Sequence, residues 1–304
     1  MNRSTPEIAL PLEVPRESAE PGFLSDLLVL TKARLSLLVI ITTFVGFCAA
    51  SGARLDWVLL ANAVLGTTFA AGAAAVLNQF IEAGVDRLME RTRYRPLPAG
   101  RMKPRHALLL GVAMGSLGVG WLALTVNALS AAFAAATILI YIAAYTPLKR
   151  RTSLCTIVGA ISGAIPPVIG WVAVKPSLDL GAWVLFGILF TWQMPHFLAI
   201  AWIYRDEYAQ AGFIMLQRDD SSGSKTATQS LLYTVGLIVI TLIPYHAGLN
   251  SDLYLGGALL LDGLMLLFAV QFFVERERAS ARRLFFASIF FLPLILGLMV
   301  FTKV

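Results

Sequence analysis

The chain has 304 residues, of which 58% are hydrophobic and only 14% are charged. A soluble domain would carry roughly 25% charged residues, and a disordered chain would combine low hydrophobicity with high charge, so both classes are excluded. The composition therefore predicts an integral membrane protein, and the formal net charge of +6 is interpreted first as a topology signal.

Nine apolar stretches are long enough to cross a bilayer, since a helical span needs about 20 mostly apolar residues. The third and fourth abut at Val126–Ala128, which predicts a tight helical hairpin. None shows the alternating pattern of a barrel strand, so the predicted fold class is an all-α polytopic membrane protein with nine transmembrane helices. The predicted spans are 34–52, 57–77, 107–126, 129–148, 153–174, 180–201, 229–249, 252–273 and 284–302.

The distribution of Lys and Arg predicts the orientation of these spans. With the N-terminus inside, 21 of the 24 cationic residues lie in inner segments, and only Arg54, Lys175 and Lys303 lie outside. The positive-inside rule therefore predicts a cytoplasmic N-terminus in a bacterial inner membrane. Residues 1–27 lack the features of a signal or transit peptide and are predicted to be a disordered cytoplasmic tail, followed by a membrane domain over 28–304. The basic residues are therefore interpreted as contacts with the lipid bilayer, and binding to a nucleic acid is not expected.

The first polar loop, 78–106, combines acids and cations in a regular pattern. Asn78, Glu82 and Asp86 are spaced four apart, which places them on one helix face. Two carboxylates and an amide form a hard-oxygen site of the kind that Mg²⁺ prefers, commonly bridged to a substrate phosphate. A solvated loop touching lipid headgroups is the alternative interpretation, but it does not require same-face carboxylates. The cations that follow at the same spacing, suited to diphosphate binding, are Arg87, Arg91 and Arg95.

A second polar loop, 202–228, also follows the end of a predicted span. Asp206 and Glu207 are adjacent, so only one of them can face a shared metal site. Asp219 and Asp220 are interpreted either as further site residues or as solvated acids. A shorter loop carries Lys149, Arg150 and Arg151, which serve either as positive-inside charge or as cations for a leaving diphosphate.

Four segments carry a resemblance to a known family. The stretch 78–101 reads NxxxExxxDxxMxRTxxRPLPxGR and resembles the first signature of the UbiA-type membrane prenyltransferase superfamily. The segments YTPLKRRT (145–152), GxxxGAIPPxxGW (159–171) and QMPHF (193–197) are similar in detail to the branch of that superfamily that farnesylates haem. The resemblance covers about residues 28–302.

The resemblance implies nine helices around a central cavity, Mg²⁺ as cofactor, farnesyl diphosphate as donor and haem B as acceptor. Addition to a vinyl carbon of the porphyrin, with water added at the neighbouring carbon, would give haem O for terminal oxidases. Contact with haem A synthase or oxidase assembly factors is a further expectation. The implied catalytic and metal residues are Asn78, Glu82, Asp86 and either Asp206 or Glu207; the implied phosphate contacts are Arg91, Arg95, Lys149 and Arg150; His196 is the candidate haem-binding residue.

Two departures and two alternatives stay open. Many relatives carry Asp at the position of Glu82, which still offers a carboxylate. Relatives usually have prolines where 211–217 reads AGFIMLQ, so the second half of the site is less well defined. The same family pattern also fits prenyl transfer to another acceptor, such as an aromatic quinone precursor or a chlorin. A transporter of an organic phosphate would instead require charged residues near the bilayer midplane, where Asp262 is an isolated example without an obvious partner.

Overall fold

A computed structural model of the chain describes residues 22–210, 212, 214, 216 and 220–304. Within them, nine helical segments are long and apolar enough to cross a membrane, which confirms the predicted fold class. Asp219 lies outside the described residues, and so does most of the predicted tail, 1–27. The last residues of that tail, 23–27, are helical and not disordered, because Phe23–Leu30 forms a first short helix.

The helices are named in chain order. They are α1 (Phe23–Leu30), α2 (Ala33–Ala50), α3 (Trp57–Asp86), α4 (Pro104–Thr125), α5 (Ala128–Leu139), α6 (Thr146–Leu148), α7 (Cys155–Val174), α8 (Leu180–Ile203), α9 (Arg205–Gln210), α10 (Ser224–His246), α11 (Asp252–Glu275) and α12 (Arg278–Phe301), with a π-helical segment, Ile140–Tyr145, between α5 and α6.

The predicted hairpin between the third and fourth spans is confirmed. Helix α4 ends at Thr125 and α5 begins at Ala128. The intervening Asn127 caps α5 by accepting a hydrogen bond from the backbone N–H of Ser130, which satisfies a donor that the helix itself leaves free.

Helices α2 and α7 pack with their backbones in contact. A Cβ atom at Gly170 would overlap the carbonyl oxygen of Thr43, and one at Gly46 would overlap the carbonyl oxygen of Pro167. The contact is therefore reciprocal: the glycine of each helix leaves space for the backbone of the other helix. Small residues at such crossings are the usual means of close packing between membrane helices.

The fourth span widens into the π-helical segment just before α6. Pro147 follows this segment, and proline can neither donate a backbone hydrogen bond nor tolerate the carbonyl four residues earlier in α geometry. The widened turn accommodates that constraint, and π-segments are frequent at functional sites. It also sets the direction in which Thr146 and Lys149 project.

Two acidic residues outside the first polar loop have partners within the protein. The sequence leaves Asp220 open as a further site residue or a solvated acid, and the structure excludes the solvated acid: Asp220 is buried and accepts hydrogen bonds from the backbone N–H and hydroxyl of Thr226 at 2.7 and 2.8 Å. It therefore ties the second polar loop to the start of α10. Asp262 was expected to lack an obvious partner, yet its Oδ2 accepts a hydrogen bond from Thr241 at 2.7 Å.

Candidate active site

Three polar side chains predicted to share a helix face lie together on the last turns of α3. Asn78, Glu82 and Asp86 follow each other at intervals of about one turn, and all three are buried. Helix α3 continues nine residues past the predicted span, which ended at 77, and so carries them at the end of the bundle. The predicted helical continuation is confirmed.

Each carboxylate of this face is paired with a cation. The partner of Glu82 comes from a distant part of the chain, and the partner of Asp86 comes from the loop that follows α3. Lys149 Nζ lies 2.8 and 3.2 Å from the two carboxylate oxygens of Glu82. Arg95 Nη1 lies 2.7 Å from Asp86 Oδ2. Since burial of an unpaired carboxylate is very costly, these pairs explain how the two acids can be buried.

The amide of Asn78 is held by two further partners. Lys32 Nζ donates to its Oδ1 at 2.7 Å, and its Nδ2 donates to Thr146 Oγ1 at 3.1 Å. Lys32 also lies 3.4 Å from the hydroxyl of Tyr141. We call the six residues Lys32, Asn78, Glu82, Asp86, Arg95 and Lys149 the polar cluster.

Sequence reasoning missed Lys32 because a lysine just before a first span is ordinary positive-inside charge. The structure shows why it is special. Its backbone adopts a left-handed conformation with φ of 49°, which separates α1 from α2 and turns the side chain toward α3. In the sequence, Lys32 is marked only by its position between two apolar segments. That position does not predict its contact with Asn78, which is 46 residues away along the chain.

Lys149 is the most enclosed cation of the polar cluster. Its Nζ lies 4.5 Å from the centre of the Tyr145 ring, and its carbonyl accepts a hydrogen bond from the backbone N–H of Ile214 in the second loop at 2.8 Å. Burial alone would lower the pKa of Lys149, but its interactions with Tyr145 and Glu82 more than offset this and hold the pKa above its usual value. Lys149 is therefore cationic at neutral pH, as a phosphate contact must be.

The three arginines after α3 do not share a face, contrary to the predicted helical spacing. The helix ends at Asp86, because the following stretch is a series of turns that ends in two prolines. Arg87 donates to the carbonyl oxygen of Pro98 at 3.2 Å and so holds the loop, and Arg91 is exposed. Of the three, Arg95 is the one within the polar cluster.

The second loop brings its two acids to different surroundings. Asp206 is exposed and forms ion pairs with Arg278 of α12 and with Arg205. Glu207 is half-buried and forms no ion pair within the described part of the chain. Adjacent residues on α9 point in different directions, so the structure favours Glu207 over Asp206 as the acid available to a ligand. Arg150 is exposed, and its predicted phosphate contact stays a prediction.

Tyr208 connects the two polar loops. It packs against Met89, which also contacts Val85 in the last turn of α3. Burial raises the pKa of Tyr208, although Arg91 and Lys149 act in the opposite direction. Helix α9, at the start of the second loop, therefore contacts the first loop at Met89, and Tyr208 is neutral there.

His196 lies on α8, seven residues or about 10 Å before the end of that helix. Its Nδ1 is 2.7 Å from Ser288 Oγ of α12. The rings of Trp192 and Phe285 lie 4.9 and 5.0 Å from its ring, centre to centre. It is therefore a partly accessible imidazole whose orientation is fixed by its neighbours.

The polar cluster suits Mg²⁺ bound together with a diphosphate. In the part of the chain that the structure describes, no three Asp, Glu, His or Cys side chains are close enough to hold a metal by themselves. Mg²⁺ characteristically binds one or two carboxylates and completes its shell with water and substrate phosphate. The oxygens of Glu82 and Asp86 provide that donor set, with three cations beside them for the phosphates.

The sequence matches the model of the UbiA prenyltransferase family over residues 39–295. It is 45% identical to a protoheme IX farnesyltransferase of Opitutus terrae, with 92% of this chain and 95% of the relative covered. The chain belongs to the UbiA prenyltransferase family, in its protoheme IX farnesyltransferase branch. The family named from the motifs is thus confirmed, and the chain is a prenyltransferase.

Two solved structures of UbiA-type proteins share this fold. One is a digeranylgeranylglyceryl phosphate synthase, with a TM-score of 0.78, 17% identity, and 92% of this chain and 98% of that chain covered. The other is a UbiA homologue from Archaeoglobus fulgidus bound to GPP and Mg²⁺, with a TM-score of 0.66, 12% identity, and 90% and 99% coverage. At these identities the likeness concerns the fold.

Proposed function

We propose that the chain transfers the farnesyl group of farnesyl diphosphate to a vinyl group of haem B and so produces haem O. The observation that carries the proposal is the buried polar cluster, in which two carboxylates and an amide are interleaved with three cations at one end of an apolar bundle. The relationship to the protoheme IX farnesyltransferases supports haem as the acceptor.

The reaction breaks the C–O bond between farnesyl and diphosphate, and the electron pair leaves with the diphosphate. A C–C bond forms at the vinyl carbon, the oxygen of a water molecule is added to the neighbouring carbon, and one proton is released. Lys32, Arg95 and Lys149 would stabilise the negative charge that develops on the leaving diphosphate. The apolar interior would exclude water from the allylic cation until the acceptor attacks.

Glu82 and Asp86 would hold Mg²⁺, with Glu207 as the further acid and Asn78 as an amide ligand. When bound, the metal supplies Lewis-acid stabilisation of the diphosphate. Glu82 and Asp86 are each paired with a cation, so metal binding would require these ion pairs to open. We infer that the same cations then contact the phosphates, so that Lys149 and Arg95 exchange a carboxylate for a phosphate.

His196 is proposed to bind the haem acceptor. An imidazole lined by aromatic rings inside a span suits a flat, apolar ring system, and polar residues within spans are functional candidates by default. The protein would reside in the cell inner membrane with its N-terminus and the polar cluster on the cytoplasmic side. Haem A synthase or oxidase assembly factors are the expected protein partners of such an enzyme.

The test is conversion of haem B by the purified protein with farnesyl diphosphate and Mg²⁺, followed by mass analysis of the haems. Asp86→Asn and Glu82→Gln are expected to lower the rate by about 100-fold or more, because each removes charge where the transition state needs it. Glu90→Gln is the matched control, since Glu90 lies in the same loop but is exposed. Prenylation of an aromatic quinone precursor, with haem B left unchanged, would contradict the haem assignment.

A further inference from the structure

The hydrogen bonds around Ser288 determine which nitrogen of His196 carries its proton. Ser288 is fully buried on α12. Its Oγ lies 2.7 Å from His196 Nδ1 and 2.6 Å from the carbonyl oxygen of Phe285. A carbonyl oxygen can only accept, and a serine hydroxyl has one hydrogen to donate; we assign that hydrogen to the shorter contact, with Phe285.

With the hydroxyl hydrogen assigned to Phe285, Ser288 Oγ accepts from His196, and this assignment makes Nδ1 the protonated nitrogen. In a neutral imidazole the other nitrogen, Nε2, then carries the free lone pair. Within the described part of the chain no hydrogen bond to Nε2 is formed. The ring thus presents one unused acceptor, and its identity follows from the position of Ser288.

The ring is also held in orientation from several sides. Trp192 and Phe285 lie against it at shallow interplanar angles of 23° and 32°. The indole N–H of Trp192 donates to the carbonyl oxygen of Ser288 at 2.7 Å. The same residue of α12 thereby binds both the imidazole and the ring stacked on it, and rotation of His196 would break this arrangement.

We propose that Ser288 is a positioning residue that fixes the tautomer of His196 and directs its Nε2 lone pair to the iron of the haem acceptor. The inference rests on the proposed function in that haem is taken as the substrate. Histidines that bind metals commonly donate their second N–H to a neighbouring acceptor, which fixes the ring and raises the basicity of the ligating nitrogen. Ser288 would supply that acceptor here.

The experiment measures haem binding to the full-length protein in detergent, without farnesyl diphosphate. We expect Ser288→Ala to raise the Kd for haem B by about 10-fold or more, and to shift the Fe–His stretching band of ferrous haem to lower frequency. Ser288→Thr, which keeps a hydroxyl that can donate to the same carbonyl, should restore both. Ser230→Ala is the matched control, because Ser230 is equally buried but its hydroxyl has no hydrogen-bond partner among the residues that the structure describes.

The outcomes separate this inference from the proposed function. An unchanged Fe–His band and an unchanged Kd in Ser288→Ala would overturn the positioning role. The same role would be overturned if the Fe–His band of the wild-type protein were also present in the His196→Ala variant, because His196 would then not be the ligand of the iron. Neither result would contradict the proposed function if the wild-type protein forms the farnesylated haem. Conversely, a wild-type protein that binds haem through His196 but forms no farnesylated product would contradict the proposed function and support the inference.

Discussion

At the scale of single residues, the buried pair of Glu82 and Lys149 is the feature that stability measurements can test most directly. Lys149→Met leaves the Glu82 carboxylate buried without a cation, which should cost about 3–5 kcal/mol and lower the Tm in detergent. The double variant with Glu82→Gln should regain most of that stability, since a neutral pair needs no compensation. Both variants should be inactive, because each lacks charge that the diphosphate site requires.

An exposed ion pair in the neighbouring loop supplies the comparison. Arg93 and Glu90 are 3.8 Å apart with 49% and 84% of their side chains exposed, and such pairs contribute roughly 0–1 kcal/mol. Arg93→Met should therefore leave the Tm nearly unchanged. Equal losses in Lys149→Met and Arg93→Met would mean that the pair with Glu82 is not buried in the protein.

Of the polar cluster, the sequence predicts Asn78, Glu82 and Asp86 as one helix face and Arg95 and Lys149 as phosphate contacts. It misses Lys32 for a physical reason. Asn78, Glu82 and Asp86 lie on one helix, so their common face follows from the 3.6-residue period alone. Lys32 and Ser288 act on partners 46 and 92 residues away, and no local period encodes such contacts. The arginine pattern predicted a face that does not exist, because the helix ends before Arg87.

At the scale of elements, the reciprocal glycine contact between α2 and α7 sets how closely those helices approach. Gly170→Ala should destabilise the protein strongly, because the new methyl group meets backbone and the two helices must separate. Gly263→Ala is the matched control in α11, where the added Cβ would meet nothing within 4 Å and a helical alanine is favoured over glycine. Thermal unfolding in detergent compares the two, and equal Tm values would show that α2 and α7 are free to adjust.

The tie between the second loop and α10 predicts a pH dependence. Burial tends to raise the pKa of Asp220, but hydrogen bonds from Thr226 outweigh it and the pKa lies below its usual value. The stabilisation is therefore present above the unfolded value of about 4 and is lost as the pH falls through the lower folded value. The Tm difference between wild type and Asp220→Ala should shrink as the pH falls below about 4, whereas a constant difference would contradict the ionised role.

At the scale of the whole molecule, the orientation in the membrane can be measured by labelling introduced cysteines. The two native cysteines, Cys48 and Cys155, are both buried. In a background with both replaced by alanine, Ser177→Cys should react with a membrane-impermeant maleimide from outside the cell. Ala99→Cys, in the loop beside the polar cluster, should react only after permeabilisation. The opposite labelling pattern would invert the orientation predicted from the 21 inner cations.

The element pattern of the whole chain was predictable because membrane spans depend on composition and length, which are local properties. Span ends were less predictable where a helix leaves the apolar layer. Helix α10 begins at Ser224 and α12 at Arg278, five and six residues before the predicted spans, because polar residues extend a helix without adding to its hydropathy. The functional end of α3 is the most important example of such an extension.

Helix α3 has 30 residues and therefore a length of about 45 Å, whereas the hydrocarbon layer is about 30 Å thick. Its last turns, with Glu82 and Asp86, would therefore extend past the acyl chains into the headgroup layer. The two products of the proposed reaction would consequently separate by solubility alone. Diphosphate would be released into water at the place where it forms, and the lipophilic haem would partition sideways into the bilayer, which opposes the reverse reaction without any moving part.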